Sequence, residues 1–91
     1  MFEWDESKRK HNLAKHGVDF DAVWEMDWAV AWQRLDNRAD YGETRYVAFA
    51  PIGDRLYCCA YTQRGENKRI ISLRKANKKE VWMYEKEALN N

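Results

Sequence analysis

Arg45-Tyr46-Val47-Ala48-Phe49-Ala50-Pro51-Ile52, Arg55-Leu56-Tyr57-Cys58-Cys59-Ala60-Tyr61-Thr62 and Lys68-Arg69-Ile70-Ile71-Ser72-Leu73 are three runs dense in β-branched, aromatic and other strand-forming residues. Gly53-Asp54 breaks the first pair and Arg64-Gly65-Glu66-Asn67 the second. Both breaks are hairpin-sized, so the segment reads as a three-stranded antiparallel meander. Pro51, near the end of its run, marks a strand terminus or an edge.

Working outward, Phe2-Glu3-Trp4 is a short strand candidate, and Asp5 caps a helix running to about His16, with Gly17 as its C′ residue. A second helix is expected from Asp19, with Val18 and Val23 at the spacing of a hydrophobic staple. Its apolar side carries Phe20, Val23, Trp24 and Trp28. Ala29–Trp32 is a further strand candidate, and the polar stretch Gln33–Glu43 is a loop. Downstream, Asn77-Lys78-Lys79-Glu80 has the form of a capping box and opens a final helix through about Leu89. The expected fold is α+β: an antiparallel sheet of four to five strands with two N-terminal helices and one C-terminal helix.

Composition fits one domain spanning residues 1–91. The sequence is 45% hydrophobic with five Trp and five Tyr, and 34% charged with mixed signs, which excludes a disordered or membrane-spanning chain. No stretch approaches the ~18 apolar residues of a membrane span, and the acidic start lacks the form of a signal peptide. Cys58 and Cys59 are neighbours in a strand, pointing to opposite faces, and read as reduced packing residues of a cytoplasmic protein. His11 and His16 lie five apart without a third ligand, so neither a metal site nor a cofactor is expected.

Net charge is only +1, but it is segregated. Lys8 to His16 holds four Lys/Arg and no acid; Gly17 to Glu43 holds seven acids against Arg34 and Arg38; Arg64 to Lys79 holds seven Lys/Arg against Glu66. The last run is strand-borne and interleaved with Ser, which suits an RNA backbone, while the acidic stretch suits a protein partner. RNA can be cut without a metal when its own 2′-OH attacks the neighbouring phosphate. One group must take that proton, another must protonate the leaving oxygen, and cations must neutralise the developing dianion. Arg64, Arg69 and Arg74 are candidates for phosphate, and Lys15, His16, Glu43 and Tyr61 for proton transfer. Alternation along Arg69–Arg74 places Ser72 and Arg74 on the open face if Ile71 and Leu73 pack on the helices.

Phe2-Glu3-Trp4-Asp5 with Lys8 and Asn12, Lys15-His16-Gly17-Val18 with Phe20, and Asp36 with Gly42-Glu43-Thr44-Arg45 recur in a recognisable order. So do Tyr61-Thr62-Gln63-Arg64-Gly65, Arg69-Ile70-Ile71-Ser72-Leu73-Arg74, Glu80 and Tyr84. The set resembles the BrnT family of toxins from bacterial toxin–antitoxin pairs, departing from its pattern at Leu73 and in the Trp-rich middle. The resemblance implies a fold like that of RelE-type ribonucleases and a toxic RNase that halts translation. It implies neutralisation by a BrnA-like ribbon-helix-helix antitoxin, with operator DNA contacted only through that antitoxin. It places the catalytic positions at Lys15, His16, Glu43, Arg64, Arg69 and Arg74, with Tyr61, Ser72, Lys68 and Lys75 on the RNA. Two other readings compete: a non-catalytic nucleic-acid-binding module, and a protein-interaction module whose Arg residues only hold the fold.

Overall fold

The computed structural model describes residues 1–89. Five strands form one mixed sheet in the order β1-β5-β4-β3-β2. They are β1 (Phe2–Trp4), β2 (Trp32–Leu35), β3 (Tyr46–Ile52), β4 (Arg55–Arg64) and β5 (Asn67–Lys75). The β3-β4-β5 meander is antiparallel as the sequence predicts, and β2 adds to it antiparallel. β1, however, runs parallel to β5, so the sheet is not purely antiparallel. Gly53-Asp54 and Gly65-Glu66 are two-residue hairpin turns whose first residues have φ of 61° and 60°. A left-handed first position matches the twist of the flanking strands and suits glycine.

The first helix, α1 (Glu6–His16), begins where Asp5 accepts the Lys8 N–H and ends at Gly17, whose N–H donates to the Leu13 carbonyl. The expected second helix is instead a 3₁₀ helix at Phe20–Glu25, with Asp19 capping it by accepting the Asp21 N–H. Its buried apolar residues explain the tighter winding: Phe20, Val23 and Met26 recur every third residue, the spacing that a 3₁₀ helix aligns. A second 3₁₀ turn covers Trp28–Val30, so β2 begins at Trp32, not at Ala29. At the C-terminus, α2 (Lys78–Tyr84) starts in a complete capping box between Asn77 and Glu80 and continues as a π-helical turn over Glu85–Leu89.

The sheet is covered on both faces. One face sends Ala48, Ala50, Cys59, Tyr61, Ile70 and Leu73 against Val18, Phe20, Val23 and Met26. The other sends Phe49, Leu56 and Cys58 against Ala76 and Tyr84 from the α2 side. Fully burying a side chain such as Phe20 or Ile70 contributes roughly 1.5–3 kcal/mol. Of the α2 aromatics, Tyr84 is buried and its hydroxyl donates to the Val30 carbonyl at 2.8 Å, whereas Trp82 is 59% exposed. The α2 helix covers only part of its face, and the uncovered part holds the polar residues of interest.

A β-bulge sets which β5 residues those are. The β4–β5 register shifts between Ala60 and Tyr61, from Ala60↔Ser72 to Tyr61↔Ile70. Ile71 is the extra residue, and it lets Ile70 and Leu73 both face the core. Strict alternation would put Ile71 with Leu73; the bulge replaces Ile71 by Ile70 while leaving Ser72 and Arg74 together on the opposite face.

Candidate active site

A cleft of about 650 Å³ opens on the α2 face of the sheet. Its floor is Val47, Phe49, Cys58, Ala60, Ser72 and Arg74; its walls are the last residues of α1, the stretch Arg34–Arg38, and the start of α2. Lys15, His16, Ser72 and Arg74, all singled out from the sequence, meet there.

Asn12 brings α1 to this position. It is the one buried residue of an otherwise polar helix, 4% exposed. Its Nδ2 donates to the carbonyls of Leu73 (2.7 Å) and Val18 (3.0 Å), and its Oδ1 accepts the Leu73 N–H (3.1 Å). One helical turn later, half-buried His16 lines the cleft. Burial first, then the charges of Lys15, Arg74 and His11, holds its imidazole below the usual value. The ring is therefore neutral at pH 7 and able to accept a proton.

Arg74 is half-buried and held by a bidentate pair with Glu80, Nη1 to Oε1 and Nη2 to Oε2, both at 2.8 Å. Glu80 Oε1 also accepts the Asn77 N–H that completes the α2 cap, so cap and ion pair share one carboxylate. That hydrogen bonding holds the Glu80 carboxyl below its ordinary range. Across the cleft, buried Asp36 accepts two bonds from the Arg38 guanidinium at 2.8 Å, which lowers its pKa to about 2. With Glu80 and Asp36 so engaged, Lys15, Arg34 and Lys79 line the cleft with no carboxylate partner among the described residues. The cleft is therefore electropositive. Its Cys58 thiol is pushed up to about 11 by burial and is inert.

The remaining sequence candidates lie elsewhere. Glu43 pairs with Arg64 at 3.2 Å and Arg69 with Glu3 at 2.8 Å, none of them lining the cleft. Tyr61, expected to touch RNA, is 4% exposed on the opposite, core face. It stacks on Tyr46, meets Trp28 edge-on and hydrogen-bonds Gln33 through its hydroxyl, leaving no ring surface for a base. Lys68 shares that face, its ammonium 5.3 Å from the Trp28 ring, and Lys75 pairs with Tyr57 in the register that points away from Arg74. Both lie off the cleft, because pleating sends alternate residues to opposite faces. Arg34, Arg38 and Lys79 also line the cleft; Lys79 closes the basic run that begins at Arg64, and Arg34 and Arg38 are the only cations within the acidic stretch. Among the described residues, no group of three or more His, Cys, Asp or Glu is placed to hold a metal ion, and no helix is long and apolar enough to cross a membrane.

The model of a family described as the ribonuclease toxin, BrnT, of type II toxin–antitoxin systems matches residues 4–80, far more than half of the chain. The chain belongs to the BrnT family. A comparison with curated proteins gives no match. The BrnT match spans every element from the end of β1 to the first turn of α2, and so contains the whole cleft except Met83. Membership bears out the resemblance carried by the motifs and implies an RNA substrate and an antitoxin partner for this BrnT-family chain.

Proposed function

We propose that this chain is the toxin of a type II pair, a metal-independent endoribonuclease whose active site is the cleft between the end of α1 and the start of α2. The observation that carries the reading is the meeting of His16, its pKa lowered, with Arg74 and Ser72 in an electropositive cleft. In the proposed reaction, neutral His16 takes the proton of a ribose 2′-OH as that oxygen bonds to the adjacent phosphorus. Arg74, with Arg34 and Lys79 on the rim, neutralises the dianionic phosphorane. The bond to the 5′-oxygen then breaks, and the Lys15 ammonium protonates it. The products are a 2′,3′-cyclic phosphate and a free 5′-hydroxyl.

Motif resemblance supports the finer points: residues 1–91 act as one RelE-like domain in the cytoplasm, and cleavage halts translation. The same resemblance supports a ribbon-helix-helix antitoxin through which alone operator DNA is contacted. Glu43, Arg64 and Arg69 act outside the chemical centre on this reading.

Purified protein incubated with single-stranded RNA in excess chelator tests it. Cleavage to cyclic-phosphate ends is expected, with His16→Ala and Arg74→Ala each slowing it by about 10²-fold or more. RNA bound but left intact would favour a non-catalytic binding module, and cleavage indifferent to both substitutions would place the site elsewhere.

A further inference from the structure

Beyond the cleft, the same face of the sheet continues along β4 and β5. Cys58 and Ala60 line the cleft, so alternation along β4 carries Thr62 and then Arg64 onto that side. Arg69 stands opposite Thr62, and Asn67 opposite Arg64. Arg45 lies one residue before the β3–β4 ladder opens at Tyr46↔Tyr61, level with Thr62, and its carbonyl accepts the Asp36 N–H at 2.9 Å.

Two polar atoms here are orphaned. Thr62 is 2% exposed and its Oγ1 has no hydrogen-bond partner; the Arg45 Nε is likewise buried and unpaired. A buried polar group without a partner is rare and costly, and calls for an explanation. Both atoms can donate, and an acceptor is what both lack. Arg64 and Arg69 flank them, each spending one guanidinium nitrogen on a carboxylate and keeping further donors. Arg45 has no carboxylate partner among the described residues, and its guanidinium lies 3.8 Å over the Tyr41 ring, which fixes its plane.

We infer that Thr62, Arg45, Arg64 and Arg69 form a second anion subsite that takes an RNA backbone phosphate away from the scissile one. The inference rests on the RNA-cleft reading for its ligand class. Cys58, paired with Arg74, and Thr62, paired with Arg69, are four residues apart on β4, about 13 Å. A strand lying along β4 and β5 therefore reaches both places, with the scissile phosphate at Arg74 and a phosphate further along the strand, not the adjacent one, at Arg69. Carboxylates face this subsite too: Glu3 on Arg69 and Glu43 on Arg64. A phosphate would share those guanidinium groups with them, whereas Arg45 and Thr62 have their donors to give outright.

The test is binding of a 2′-O-methyl single-stranded RNA, which cannot be cleaved, followed by fluorescence anisotropy over a salt series. Thr62→Val keeps the shape and β-branching and removes only the hydroxyl. It is expected to weaken binding about tenfold while leaving the melting temperature unchanged or raised, because an orphaned hydroxyl has been removed. Arg64→Ala is expected to lower the slope of log K against log salt by about 0.7, the loss of one phosphate contact on a single strand. Wild-type affinity and slope in both variants, or a wild type that binds no RNA, overturns the subsite. A wild type that binds the analogue with these losses yet cuts no ordinary RNA keeps the subsite and overturns the nuclease reading.

Discussion

The side-chain amide of Asn12 pairs with the peptide group of Leu73, Nδ2 donating to its carbonyl at 2.7 Å and Oδ1 accepting its N–H at 3.1 Å. This pairing does for β5 what a neighbouring strand would. The three-residue β1 covers β5 only from Lys68 to Ile70, and the edge beyond the bulge is left open. An exposed strand edge invites mispairing, and one amide closes it here while fixing the end of α1 beside the cleft. Asn12→Ala leaves the Leu73 peptide and the Val18 carbonyl without these partners in a buried setting. A loss of roughly 2–4 kcal/mol is expected by urea denaturation. Asn12→Asp should do no better, because its carboxylate faces two carbonyls that need donors.

His16 gives a pH-dependent prediction. Its folded pKa is depressed, so between the lowered value and the ordinary ~6.5 the unfolded chain binds the proton and the folded chain does not. Stability is therefore unaffected above ~6.5 and declines as pH falls below it, a decline that His16→Gln should remove. The causes also rank the neighbours: Lys15 outweighs Arg74. In an NMR titration of the His16 ring proton, Lys15→Ala should raise the midpoint more than Arg74→Ala. Equal midpoints in both variants and the wild type would show that burial alone sets the value.

Much of this fold is legible from local chemistry. The Gly-Asp and Gly-Glu turns, the Asp5 and Asp19 caps and the Asn77–Glu80 box are short-range signals, and each forms where the sequence puts it. What escaped reading is long-range. Nothing near Ile71 announces a bulge; it arises because Ile70 and Leu73 both find core partners. Parallel β1 is likewise decided by its fit against β5. In the candidate site, Lys15, His16, Ser72 and Arg74 converge as their polarity suggests, but Tyr61 and Lys68 do not, because the pleat turns them to the other face. Asn12 stands among the motif residues, but its pairing with the Leu73 peptide spans 61 residues of chain and has no local signature.

Asp36 organises the stretch that walls the cleft. Its side chain is 1% exposed and accepts Nε and Nη2 of Arg38, the Arg38 N–H and the Tyr41 hydroxyl. Its pKa falls from 3.8 to about 2, so the stabilisation is complete above ~3.8 and is lost as pH falls through about 2. The lowering corresponds to about 2 kcal/mol at most, and roughly 1–2 kcal/mol once the solvent-exposed Arg38 is taken into account. Asp36→Asn should flatten acid unfolding between pH 4 and 2 by about that amount, measured as ΔG against pH.

Glu80 performs two tasks that one substitution separates. As the N3 residue of α2 it accepts the Asn77 N–H, and as an anion it holds both terminal nitrogens of Arg74. Glutamine keeps an oxygen for the cap, since the capping box tolerates Glu or Gln. It removes the negative charge from a cleft otherwise rich in cations and frees the Arg74 fork for a phosphate. Glu80→Gln is therefore expected to keep the α2 helix, lower stability by about 1 kcal/mol, and bind 2′-O-methyl RNA several-fold more tightly at low salt. Circular dichroism, a thermal melt and the anisotropy titration measure the three effects separately. Weaker RNA binding with the helix intact would mean that Glu80 holds Arg74 in the geometry that RNA requires, making it a positioning residue instead of a competitor.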